Sequence, residues 1–303
     1  MADILVRALA LVLVVVLGYS LKRWGYLRAS DFPTFSKLVL TVTLPCALAT
    51  SFNSFDIQPA LLTLALFVFV TNILQQAIGY VATRGRAPVD RGFAILHGGS
   101  YNIGAFALPY LSAFLGPAAI VHAAIFDVGN SLGSAGIGRG WAHSVADTTR
   151  RSSVLDFVKK MLSSPVFDIY LVLVTIRLLH LTLPGPVITV TSLIGAANPF
   201  LAMLMIGIGL EIRLPREKLT VALATLGRRY AMAVLLAVVA WWVVPWPRDV
   251  RTTVVMLLFA PWAAMISGFT SEIGGDVEVS TFVTSVSIIV AIVALPALFL
   301  ALT

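Results

Sequence analysis

The chain has 303 residues, of which 59% are hydrophobic and only 12% charged, with 21 Lys and Arg against 14 Asp and Glu and a net charge of +7. A mean hydropathy of +0.95 excludes a soluble globular domain of this size, which would have to expose much of that apolar material to water. The composition is that of an integral membrane protein, and its single cysteine, Cys46, excludes an intrachain disulfide.

A helix needs about 20 apolar residues to cross a bilayer, and the pattern predicts ten such spans. They lie at roughly 3–21, 34–54, 58–82, 90–115, 117–136, 165–183, 187–211, 219–244, 250–274 and 278–302. Lys22 and Arg23 follow the first run with no small-residue cleavage pattern, so it reads as a retained span and not as a signal peptide. With the N-terminus outside, the loops after spans 1, 3, 5, 7 and 9 hold 17 of the 21 Lys and Arg, among them Arg139, Arg228 and Arg229. Three lie on the other side, and Arg177 falls within span 6. The positive-inside rule then expects both termini outside a cytoplasmic (inner) cell membrane. The basic balance is topological and calls for no nucleic acid.

Span 2 carries Pro45 in LPCALATSF, and span 3 carries Asn72, Gln75 and Gln76, which read as helix glue or as sodium ligands. Span 4, inside DRGFAILHGGSYNIGAFALPYLSAFLG (90–116), is interrupted by Gly98, Gly99, Ser100, Tyr101, Asn102 and Gly104, with Pro109 further on. Unwound backbone at membrane depth survives only where protein or a water-filled cavity surrounds it, so the break marks a candidate site. Asn102 offers two donors and an acceptor there for a carboxylate or a coordinated ion, unless it only caps a helix end; Ser100 and Tyr101 are weaker companions.

Asp127 sits near the middle of span 5, where an acid costs about 2.5 to 3.5 kcal/mol on insertion scales. It reads as a proton carrier, as a sodium ligand together with Asn130, or as a structural partner of Arg177 or a neighbouring amide. GNSLG (129–133) matches the nucleophile-elbow pattern G-x-S-x-G. That motif needs a strand-to-helix turn, and here it lies in an apolar helical run, where it equally reads as a G-x-x-x-G packing face. No enzyme is expected. Residues 137–164 form a polar, basic linker in which VLDFVKKML (154–162) has the pattern of an interfacial helix, or merely of a lead-in to span 6.

In the second half, span 7 carries Pro199. Span 9, VRTTVVMLLFAPWAAMISGFTSEIGG (250–275), is interrupted at Pro261 and followed by Trp262, Ser267 and, near its end, Glu272. Glu272 reads as a coupling residue or as an acid facing water beside Asp276 and Glu278. The histidines lack ligand spacing, so neither a metal nor another cofactor is expected.

Two interrupted spans point to a transporter. Pro45 corresponds to Pro199, Arg91 to Arg251, and Asn102 to Trp262, which supports two inverted halves, 1–136 and 165–303, around the linker. Broken helices crossing at one point bring half-helix N-terminal ends together, and such a point attracts anions.

GYSLKRWGYLRASDFPTFSKLVLTVTLPCALATSF (18–52), NIGAFALPYLSAFLG (102–116) and APWAAMISGFTSEIGGDVEVSTFVTSVSIIVAIVALP (260–296) together resemble the auxin efflux carrier family, which includes plant PIN-type carriers and many bacterial transporters. The resemblance implies ten helices in inverted five-helix repeats, elevator-type alternating access, small organic acids as cargo, Asn102 beside the substrate carboxylate, and a homodimer. Tyr101 stands where plant carriers have Pro, and Trp262 where they have Gln, so the likeness does not extend to auxin itself.

The expectation is an all-helical secondary transporter of a small organic anion in the lipid bilayer. Asn102, Tyr101, Ser100, Pro261, Trp262 and Ser267 are its candidate substrate residues. Asp127, Asn130 and Glu272 are its candidates for coupling to a proton or a sodium ion, and Gly98, Gly99, Gly104, Pro109, Pro45 and Pro199 keep its helices broken. The rival readings are a sodium/proton antiporter in which Asp127 carries the ion, and a membrane sensor that binds without transporting.

Overall fold

The computed structural model describes residues 2–53, 61–112, 115–146 and 165–302. Among these residues there are helices and connecting turns and no strand, the outcome required where hydrocarbon leaves backbone groups no other partner. Five stretches are long and apolar enough to cross a membrane by length and composition: 29–53, 62–82, 185–209, 216–242 and 277–302. Each of the other predicted windows also contains helix, in shorter or interrupted pieces.

The first half opens with α1 (Ala2–Arg23), followed by α2 (Phe32–Leu38) and α3 (Leu44–Asn53), which are joined through a π-helical turn at Val39–Thr43. Next come α4 (Leu62–Ala82), α5 (Pro88–Leu96), a π turn at Ile103–Ala107 and α6 (Leu108–Ser112). Then α7 (Pro117–Ser131) passes through a third π turn, Leu132–Gly138, into α8 (Arg139–Val145). Pro45 and Pro109 each stand two residues past the end of a π turn. A proline has no N–H for the carbonyl four residues back, and its ring crowds that carbonyl, so the ladder widens just before it.

The second half holds α9 (Pro165–Leu178), α10 (Gly185–Gly195), α11 (Asn198–Gly209), α12 (Leu219–Trp242), α13 (Arg248–Leu258), α14 (Met265–Glu272) and α15 (Val277–Leu302). Pro199 lies in the first turn of α11, where a missing N–H costs nothing. Arg177 ends α9: its guanidinium donates to Leu181 O at 3.1 Å, beside a left-handed His180 (φ 56°) whose N–H returns to Arg177 O.

These helices pack as two groups. In the first, α1 and α2 lie along α11, and α3 lies along α9 and α10. In the second, α4 packs on α5 and α7, α5 on α8, α12 on α13 and α15, and α13 on α7 and α15. Gly129 and Gly133 let α7 and its π turn approach α4 closely: a Cβ at Gly129 would collide with the carbonyl of Ala65, and one at Gly133 would stand 2.8 Å from Cβ of Asn72. The G-x-S-x-G string is thus a packing face on continuous helix, with Ser131 at the end of α7.

Two sequence expectations change. The helix of span 5 continues past residue 136 to Val145, so the segment expected to be linker begins as helix; the predicted interfacial helix 154–162 lies outside the described residues. Arg228 and Arg229, counted with an inner loop, lie inside α12, and Arg229 is buried. At the start of α12, Lys218 pairs with Asp276 at 2.8 Å and Glu278 at 2.7 Å, tying it to the start of α15. Leu9, Leu13, Leu66, Val70, Val190 and Leu193 are exposed, as lipid-facing positions require.

Candidate functional site

Residues 97–102 and 259–264 are the two interruptions, and they meet. The main-chain N–H of Asn102 donates to the carbonyl of Pro261 at 2.8 Å. Each break also borrows a side chain from the helix that follows it. Tyr101 N–H donates to Asn130 Oδ1 of α7 at 3.0 Å, and Trp262 N–H to Ser287 Oγ of α15 at 3.2 Å. The backbone groups freed by the breaks therefore find protein partners, as a dry site demands.

Gly98 and Gly99 press the first break against α4. A Cβ at Gly98 would stand 2.5 Å from the Cα of Gln76, and one at Gly99 2.7 Å from the Cα of Asn72. Gln76 Nε2 donates to Gly133 O at 2.9 Å and Gln75 Nε2 to the Tyr101 hydroxyl at 3.0 Å, while Asn72 Nδ2 donates to Asn130 Oδ1 at 3.3 Å. The polar residues of span 3 thus tie α4 to the first break and to α7 with its π turn.

Beside the crossing lies a cavity of about 680 Å³ between the two helix groups. From one side α2, α9 and α11 contribute Phe32, Tyr170 and Met205; from the other come Tyr101, Asn102 and Asp127. The starts of the second half-helices, Ile103–Ala105 and Ala264–Met265, also face it. Asn102 is 6% exposed, and its side-chain amide takes no partner among the described residues.

Asp127 is 7% exposed and accepts from Asn130 Nδ2 at 2.8 Å and from the Tyr170 hydroxyl at 3.2 Å. Its partners are these two neutral groups; Arg177 is engaged at the end of α9. The charged residues lining the cavity are Asp127, Lys22 and Glu211. Lys22 Nζ donates to Leu210 O at 2.5 Å.

Of the predicted substrate residues, Asn102, Tyr101 and Ser267 line the cavity. Ser100, Pro261 and Trp262 stand behind it, with Trp262 fully buried and its Nε1 donating to His97 O at 3.1 Å. Of the predicted coupling residues, Asp127 and Asn130 line it. Glu272 does not: it pairs with Arg139 at 2.6 Å and with His143 at 3.2 Å.

Sequence reasoning missed three participants. Tyr170 orients Asp127, and Thr284 brings to the cavity wall a buried hydroxyl that has no hydrogen-bond partner among the described residues. Arg229 donates to the carbonyls of both breaks, to Ser100 O at 2.8 Å and to Ala260 O at 2.6 Å. A basic residue ten positions inside an apolar window was the available signal for Arg229.

The model of the membrane transport protein family matches residues 3–137, the segment that contains the first break. The match covers a little under half of the chain and agrees with the auxin efflux carrier resemblance. The chain is also similar over most of its length to a curated protein of Methanothermobacter thermautotrophicus described as an uncharacterized transporter. The two are 25% identical over 296 residues, covering 95% of each chain.

Proposed function

We propose that this transporter moves a small organic anion by elevator-type alternating access, with Asn102 and the starts of the two second half-helices receiving the carboxylate. The observation that carries the reading is the side chain of Asn102, a buried residue whose amide has no hydrogen-bond partner among the described residues, anchored through its own backbone to Pro261 and lining a cavity large enough for a small acid. Half-helix N-terminal ends add partial positive charge on the same side.

The cavity's position between two helix groups supports the elevator: one group can slide against the other and carry the crossing with it. The parallel bonding of the two breaks, Tyr101 to Asn130 and Trp262 to Ser287, supports two inverted five-helix repeats. Homodimerisation and outward-facing termini in the cell membrane complete the reading, testable by cross-linking and by labelling of terminal tags.

Asp127 would repel a bound carboxylate if it remained ionised, so coupling to a proton fits an anion cargo. The test is uptake of labelled mono- and dicarboxylates into proteoliposomes under imposed proton or sodium gradients. Carboxylate flux driven by a proton gradient is the expected result. Proton or sodium flux with no organic acid moved would instead establish the antiporter reading, which the burial of Asp127 beside the cavity also favours.

A further inference from the structure

Unwinding a helix leaves carbonyls without donors, and in broken-helix transporters such carbonyls are the usual ligands of a coupling sodium ion. In this chain Ser100 O of the first break and Ala260 O of the second are both already taken. Arg229 of α12 spans them, one Nη donating to each at 2.8 and 2.6 Å. Its guanidinium also lies against the rings of Tyr101 and Trp262, with centroids at 4.4 and 4.8 Å. Arg229 is 3% exposed, and among the described residues no carboxylate pairs with it.

A buried, unpaired charge is expensive unless its surroundings replace water. Here the replacement consists of two carbonyls, two aromatic faces and the C-terminal ends of α5 and α13, which carry partial negative charge. These are the groups that would otherwise hold a free cation. The planar fork of arginine suits two carbonyls on separate chain segments, where a lysine ammonium would act as a single point charge.

We propose that Arg229 is a tethered cation occupying the place of a coupling sodium ion at the crossing, so that the protein needs no sodium there. The inference rests on the transporter reading for its consequence, sodium-independent transport, but its geometry does not depend on the cargo. Because Arg229 moves with the breaks and cannot dissociate, it contributes no ion to the transport cycle and leaves coupling to Asp127.

The test uses thermal unfolding of the full-length protein in detergent, so it stands whether or not any carboxylate is transported. Wild type, Arg229→Ala and Arg229→Lys are compared in sodium, choline and millimolar guanidinium chlorides at constant ionic strength. Wild type should be indifferent to sodium. Arg229→Ala should melt lower and recover, saturably, by about 2 to 4 °C with guanidinium or sodium and not with choline. Arg229→Lys should lie between the two. A saturable sodium stabilisation of the wild type would overturn the proposal. So would an Arg229→Ala protein that folds but responds to no cation. If Arg229→Ala does not fold, the wild-type titration decides alone, sodium indifference supporting the proposal.

Discussion

The amide N–H of Asn102 and the carbonyl of Pro261 are 2.8 Å apart, although more than half the chain's length separates them in sequence. That one bond fastens the first break to the second and leaves the Asn102 side chain free to face the cavity. Anchoring thus falls to the main chain of Asn102, which leaves its side chain for the proposed binding.

The division predicts that Asn102→Ala keeps its fold. The backbone bond survives and no side-chain hydrogen bond is lost, so the melting temperature should stay within about 2 to 4 °C of wild type. Asn102→Asp should also fold but should bind anions worse than Asn102→Ala, since a second carboxylate then faces the cargo. Equal losses in the two variants would speak against an anion site.

For Asp127, replacement by Asn should end proton-driven accumulation while leaving exchange of labelled for unlabelled carboxylate across the membrane. Wild-type accumulation should rise as the donor side is acidified, and the Asp127→Asn protein should show a flat response. Tyr170→Phe removes one hydrogen bond to the carboxylate and should shift the pH profile without abolishing it. Loss of exchange together with accumulation in the Asp127→Asn variant would favour the antiporter.

Two glycines, Gly99 in the first break and Gly268 after the second, separate packing from flexibility. Gly99→Ala would push a methyl group into the backbone of α4 at Asn72 and should destabilise the protein by about 1 to 3 kcal/mol. Gly268→Ala on α14 meets nothing within 4 Å and should be neutral or stabilising by up to about 1 kcal/mol, since alanine is the better helix former. Thermal unfolding of the two variants checks both.

Asp276 lies outside the spanning helices. Partial burial pushes its carboxyl pKa up, but the Lys218 ammonium and the Val279 amide outweigh that and hold it below the usual carboxylate range. A depressed folded-state pKa stabilises the protein above the unfolded value of about 3.9 and loses that contribution as pH falls through the folded value. Melting curves between about pH 6 and 3 should show this loss in wild type and not in Asp276→Asn. The difference should be small and reduced by salt, as for any largely exposed pair.

The sequence made the break at 97–102 legible because glycines, an asparagine and a serine have no other business inside an apolar run, and proline marked the break at Pro261. The glue in span 3 was legible for the same reason. Arg229 escaped because charge counting assigns it to the adjacent inner loop although it lies ten positions inside the apolar window, and its burial depends on which face of α12 meets the crossing. Tyr170 and Thr284 escaped because an apolar helix carries such residues routinely, and only packing brings their hydroxyls to Asp127 and to the cavity wall. The pairing of Glu272 with Arg139 was not legible, because Arg139 belongs to a helix that extends past the predicted end of span 5.

The central claim is that the crossing binds a carboxylate through Asn102. It is tested most directly by counterflow of labelled mono- and dicarboxylates in proteoliposomes, comparing wild type with a folded Asn102→Ala protein. The account predicts saturable exchange of at least one acid in wild type and a fall of about tenfold or more in the variant, the loss expected for one charge-assisted hydrogen bond. Unchanged exchange in Asn102→Ala, or none by the wild type with any acid while it moves protons or sodium, would contradict it.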